Sequence, residues 1–171
     1  MSSGVKELSI QLDRIVAKAA KAEYVKEAGK LVHGQAVHYA PGNSGYLKQH
    51  IFNDFEEGHF SATAEIYTDV SYAGYVELGT GPKGAADHDG ISPEVTPAYT
   101  MKPWWIHESM VDLWMAEQYH WPVINTPEGK FYRCSGQPAY PFMYPALKNN
   151  QREVIEIMKK GINNIFKEEC K

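Results

Sequence analysis

Gly79-Thr80-Gly81-Pro82-Lys83-Gly84 spells out the dinucleotide fingerprint GxGxxG. Holding a pyrophosphate that way requires a strand before the first glycine and a helix N-terminus directly after the last. Here Ala85-Ala86-Asp87-His88-Asp89-Gly90 and a proline-studded stretch follow, so cofactor binding is not expected. Lys83-Gly84 also lacks the Ser or Thr that completes a phosphate loop. Asp87-His88-Asp89 offers imidazole and carboxylate ligands, but adjacent residues seldom converge on one ion, and a solvated loop is expected. His107-Glu108 begins like a zinc-protease pair, yet Val111 stands where the second histidine belongs. Cys134 as a nucleophile would need a base and an oxyanion hole beside it. A cysteine in an apolar strand reads instead as a small core residue. Glu56-Glu57 and Glu168-Glu169 lie in charged surroundings. No catalytic, cofactor-binding or metal-binding residue is therefore expected.

Those residues belong to a chain of 171, enough for one domain with its own core. Its 17 Lys and Arg against 21 Asp and Glu leave a net charge of −4, which argues against a dedicated nucleic-acid binder. It leaves room for a protein that lies near DNA without gripping it. Aromatic residues make up 12% of the chain, and amphipathic rings in that number suit extensive contact surfaces. Two cysteines, Cys134 and Cys170, form no disulfide framework, and a reducing compartment is the default. Neither a signal-type apolar run at the N-terminus nor a membrane-length apolar stretch occurs. A secreted or membrane-spanning chain is not expected.

From Val5 to about His38, apolar residues recur at helical spacing (Leu8, Leu12, Ile15, Ala19, then Tyr24, Ala28, Leu31 and Val32), with charges between them. This predicts an amphipathic helix, with room for a bend, that stops at Ala40-Pro41-Gly42-Asn43-Ser44-Gly45. Two strands are expected at Tyr46 to Phe55 and Phe60 to Thr68, joined through Glu56-Glu57-Gly58. The second alternates Phe60, Ala62, Ala64 and Ile66 on one face. A short helical turn over Tyr72 to Val76 closes at Gly79, and a long irregular stretch runs from Pro82 to Lys102. Trp104 to Trp121 is expected to be helical. A Thr126–Gly129 turn, a short strand at Phe131–Cys134 and a C-terminal helix from about Leu147 complete the chain. Helices at both ends around strands predict an α+β fold: a small antiparallel sheet packed by two long helices, with a Trp-rich helical insertion at about 82–135 in one domain.

Trp104, Trp105, Trp114 and Trp121 cluster beside Met101, Met110 and Met115. A local core under the long loop and a protein-contact surface both fit, since Trp and Met are enriched at interface cores. Adjacent Trp104 and Trp105 cannot face the same way, so at least one is expected to meet a second surface. The four are candidate interface residues.

Three spaced segments together resemble one family. They are Ala40-Pro41-Gly42-Asn43-Ser44-Gly45-Tyr46-Leu47-Lys48, Tyr72-Ala73-Gly74-Tyr75-Val76-Glu77-Leu78-Gly79-Thr80-Gly81, and Gly136-Gln137-Pro138-Ala139-Tyr140-Pro141-Phe142-Met143-Tyr144-Pro145-Ala146-Leu147. In that order they look like the signatures of the tailed-bacteriophage neck family, whose members are head–tail joining, tail-completion or minor tail proteins. The matching positions are Ala40, Pro41, Gly45, Leu47, Tyr72, Ala73, Glu77, Gly79, Thr80, Gly136, Pro141, Phe142, Pro145 and Ala146. The span from Gly81 to Gly136 is longer than the family pattern.

The resemblance implies a non-enzymatic virion protein, assembled in the host cytoplasm. It would form a homo-oligomeric ring between the head connector or stopper and the tail terminator or tail tube. DNA would pass through its lumen without sequence-specific binding. Within the same assembly, a tail terminator capping the tube is the alternative. A small cytosolic hydrolase using Cys134 or His107/Glu108 is the alternative of another class, and an adaptor outside any virus is a third.

Overall fold

A computed structural model describes residues 3–20, 23–42, 45–58, 61–111, 116–117 and 120–169. The fold is α+β. Contacts cluster in two compact units: residues Met1–Val70 with Phe142–Lys171, and Ser71–Pro141. The expected insertion at about 82–135 falls inside the second unit.

In the first unit, α1 (Ser3–Ala20) and α2 (Glu23–Tyr39) divide the expected N-terminal helix in two. The expected strand from Tyr46 needs correcting. Tyr46–Gln49 forms a single helical turn, α3, entered through Gly45 in the left-handed conformation (φ 73°). That turn explains why Lys48, Gln49 and His50 do not alternate. The strand itself is β1 (Ile51–Glu57), paired antiparallel with β2 (Ala62–Thr68). Ala62, Ala64 and Ile66 share one half-buried face as expected, while Phe60 lies outside the described residues.

Helix α2 packs against this sheet. Gly29 permits a close approach, since a Cβ there would stand 2.7 Å from that of Ala64. His33 ties the layers together through Nε2, 2.8 Å from the Ile51 carbonyl. The C-terminal helix begins in Met143 and runs to Glu169; with α4 and α5 below, it is α6. It packs along α2 and α1. Among the described residues, Val25, Ala28, Val32, Ala36, Ala40, Leu47, Ile51, Val70, Phe142 and Ala146 are the buried core of this unit. The apolar side of α1 is incompletely covered, since Ile10, Leu12 and Val16 remain exposed.

The second unit starts with α4 (Ala73–Leu78), closed at Gly79 (φ 74°), and α5 (Gly81–Ala86). An irregular stretch leads to β3 (Trp104–His107), a 3-10 turn (Glu108–Met110), β4 (Val123–Thr126) and β5 (Gly129–Cys134). These strands form an antiparallel sheet in the order β3-β5-β4, with a two-residue turn at Pro127-Glu128.

The expected helix at Trp104 to Trp121 is thus a strand in its first turn. Trp104, Trp105 and Ile106 are aromatic or β-branched, and they fit a pleated, half-buried surface beside Cys134, Arg133 and Tyr132. The apolar residues there are dense but carry no helical period. Trp114 lies outside the described residues, as do Leu113, Met115, Tyr119 and Cys170.

Candidate functional site

The second and third resembling segments form one backbone knot within the second unit. Thr80 and Gln137 make an isolated antiparallel bridge. Thr80 N–H donates to the Gln137 carbonyl at 2.9 Å, and Gln137 N–H donates back to the Thr80 carbonyl at 3.1 Å. Gln137 Nε2 donates to the Tyr75 carbonyl at 3.0 Å, and Tyr140 N–H to that of Val76 at 2.8 Å. Lys83 N–H reaches the Ser135 carbonyl at 3.2 Å, and Ala139 N–H the Asp87 carbonyl at 3.0 Å.

This knot accounts for the glycine pattern at 79–84. Gly79 packs against the backbone of Gln137 and Ala139, and a Cβ there would come within 2.8 Å of the Ala139 nitrogen. A Cβ on Gly81 would stand 2.8 Å from the Trp104 ring, and one on Gly84 would stand 2.9 Å from Tyr99. Gly136 is the tightest: φ is 77°, and a Cβ would collide with the Thr80 carbonyl. These glycines admit protein backbone and aromatic rings where a nucleotide fingerprint would admit phosphate. Helix α5 is only six residues long, and a helix, α4, stands before Gly79 where the fingerprint needs a strand.

The other chemical candidates are held in structural bonds. His88 Nδ1 lies 3.0 Å from the Gly84 carbonyl, and its ring leans on Tyr99, whose hydroxyl donates to the Leu78 carbonyl at 2.7 Å. His107 accepts from Ser109 N–H at Nδ1, so Nε2 carries the proton and donates to the Glu128 carbonyl at 3.1 Å. Glu108 Oε1 accepts from Lys130 N–H at 3.1 Å. Both residues thereby lash β3 and the 3-10 turn to the β4–β5 hairpin. Cys134 is buried, and its sulfur accepts from Gly136 N–H at 3.4 Å. Among the described residues no three His, Cys, Asp or Glu side chains are grouped to hold a metal ion.

In the first unit, Ala40 and Leu47 are buried while Pro41 is exposed. Phe142 and Ala146 are almost fully enclosed, and Pro145 is half-buried between them and solvent. In the second, Ala73 is buried, Tyr72 exposed and Glu77 half-buried in α4. Pro141 is half-buried at the unit's end. Of the tryptophans, Trp104 faces Gly81, Trp105 is 45% exposed and Trp121 is half-buried.

A feature that sequence reading missed is a series of rings on the outer face of β1 and β2. Tyr46 stacks on His50 with centroids 4.1 Å apart, His50 meets Phe52 edge-on at 6.0 Å, and Phe52 leans on Tyr67 at 5.5 Å. Asp69 lies 3.0 Å from His50 Nδ1, and the Tyr67 hydroxyl donates to Asp54 at 2.9 Å. The only signal in the sequence was the spacing of Phe52 and Tyr67, which becomes meaningful once the register is known.

Compared with known proteins, the chain matches no family model, no curated protein and no solved structure.

Proposed function

We propose that this chain is a structural neck protein of a tailed phage or phage-like particle, one subunit of a ring that joins the head connector to the tail. The observation that supports this reading is where the resembling positions fall. Gly79, Thr80 and Gly136 make the knot of the second unit, and Ala40, Leu47, Phe142 and Ala146 supply core of the first. The resemblance therefore lies in residues that determine the backbone path, where a shared fold would leave its mark. Other matching positions, Pro41 and Tyr72 among them, are exposed.

Electron microscopy of a lysate lacking this gene tests the proposal. The expected result is filled heads beside unattached tails, with whole particles restored by the cloned gene. Tails of irregular length would favour a terminator that caps the tube. Intact, infectious particles would overturn both readings.

A hydrolase would make a different demand on Cys134. Its burial and its bond to Gly136 N–H predict slow alkylation of the native chain by iodoacetamide, accelerating on unfolding. Native labelling of Cys134 faster than that of an unstructured thiol at the same pH would return the argument to an enzyme.

A further inference from the structure

One face of the three-stranded sheet turns away from the knot. Its register places Trp105 beside Arg133, and His107 beside Phe131 and Ile124, while Trp104, Tyr132 and Cys134 take the opposite face. Trp105 and Ile124 are 45% and 43% exposed. Arg133 is exposed, and its guanidinium has no ion-pair partner among the described residues. Trp, Arg and large apolar side chains on one surface are the composition of interface hot spots, and such an arginine seeks a carboxylate or a ring across the interface.

The outer face of β1 and β2 has the complementary character. Phe52 lies opposite Tyr67, Asp54 opposite Glu65 and Glu56 opposite Thr63. The three carboxylates are exposed, and neither strand contains a Lys or Arg. The Tyr46-His50-Phe52-Tyr67 rings supply flat π surface beside the acids.

We propose that these two faces are mates across copies: the Trp105–Arg133 face of one chain docks on the acidic, aromatic β1–β2 face of a second copy. Charge selects the occupant: among the described residues Arg133 has no ion-pair partner, the Glu108 carboxylate near its face being engaged by Lys130 N–H, and the strands of the other face carry carboxylates with no Lys or Arg between them. Two different faces make the contact heterologous, so each copy keeps one mate free, and the association closes into a ring or runs on. The contact deepens the neck reading by giving it a subunit interface, and its purpose rests on that reading.

Sedimentation velocity between about 10 μM and 1 mM tests the contact across the range of weak association. The probes are the intact chain, Arg133→Glu, and the double variant Glu56→Lys/Glu65→Lys. The wild type is expected to form species larger than a dimer as concentration rises. Each variant alone should associate about tenfold more weakly or worse, because like charges then face each other. An equimolar mixture should regain wild-type association, since it pairs one swapped contact with one native contact. A wild type that stays monomeric, an Arg133→Glu chain that assembles normally, or a mixture no better than its components would each overturn the contact. Circular dichroism checks folding. If Arg133→Glu does not fold, Trp105→Ser takes its place, with loss of association expected and retention overturning. The neck reading fails separately, by the particle phenotype.

Discussion

Gly136 illustrates how a single missing atom sets the geometry of the second unit. Its positive φ and the Thr80 carbonyl lying where a Cβ would go leave no low-energy place for a side chain. Gly136→Ala should cost about 2–4 kcal/mol, combining left-handed strain with a backbone clash, measured by urea unfolding. Thr80→Val should cost no more than about 1 kcal/mol, because Gln137 N–H keeps the Thr80 carbonyl after losing Oγ1. At the other unit, Tyr67 donates its hydroxyl to Asp54, and this hydrogen bond, aided by the nearby carboxylates, holds the phenol above its usual value near 10.0. The folded state therefore binds the phenolic proton more tightly than the unfolded state does. The resulting stabilisation is full below the unfolded tyrosine range and is lost as pH rises through the folded value. Ultraviolet difference titration should show one late-ionising tyrosine that disappears in Tyr67→Phe and shifts down in Asp54→Asn.

Elements were legible in the sequence where periodicity and punctuation agreed. The β2 alternation, the glycine-closed turn at Gly79, the Thr126–Gly129 hairpin and the C-terminal helix all carry their own local signal. Trp104–His107 did not, because three bulky apolar residues followed by a histidine satisfy a strand and a helix equally, and only pairing with β5 decides between them. Tyr46–Gln49 was hidden because a single helical turn is shorter than any period it could display. The knot was partly legible: its glycines stood out, but their partner, some 57 residues away, did not. Helix α6 depends on its first turn, where Phe142 immediately precedes it at 1% exposure and Ala146 is fully enclosed. Phe142→Ala should cost about 3–5 kcal/mol by leaving a cavity, measured by thermal or denaturant unfolding, while Leu147→Ala, on an exposed position, should cost well under 1 kcal/mol.

At the scale of the whole molecule, the buried apolar side chains among the described residues are unevenly shared. The first unit holds a helix-and-sheet core of larger residues, whereas the described core of the second is Ala73, Ala116, Tyr132 and Cys134. Hydrogen exchange should therefore find the slowest amides in α2 and β1, with the second unit opening at lower free energy. Gly136→Ala should widen that gap, and equal loss of protection throughout would show that the two units unfold together. The first unit is also discontinuous in the chain, with Ser71–Pro141 interposed between its two parts. A ribosome making about 5–20 residues per second needs roughly 4–14 s to cross those 71 residues. Through that interval the nascent α1, α2 and β1–β2 hairpin wait without Phe142, Ala146 and the helix that covers them. The contiguous second unit can close first, and the larger core is completed last, which makes the incomplete N-terminal part the natural client of a holding chaperone during synthesis.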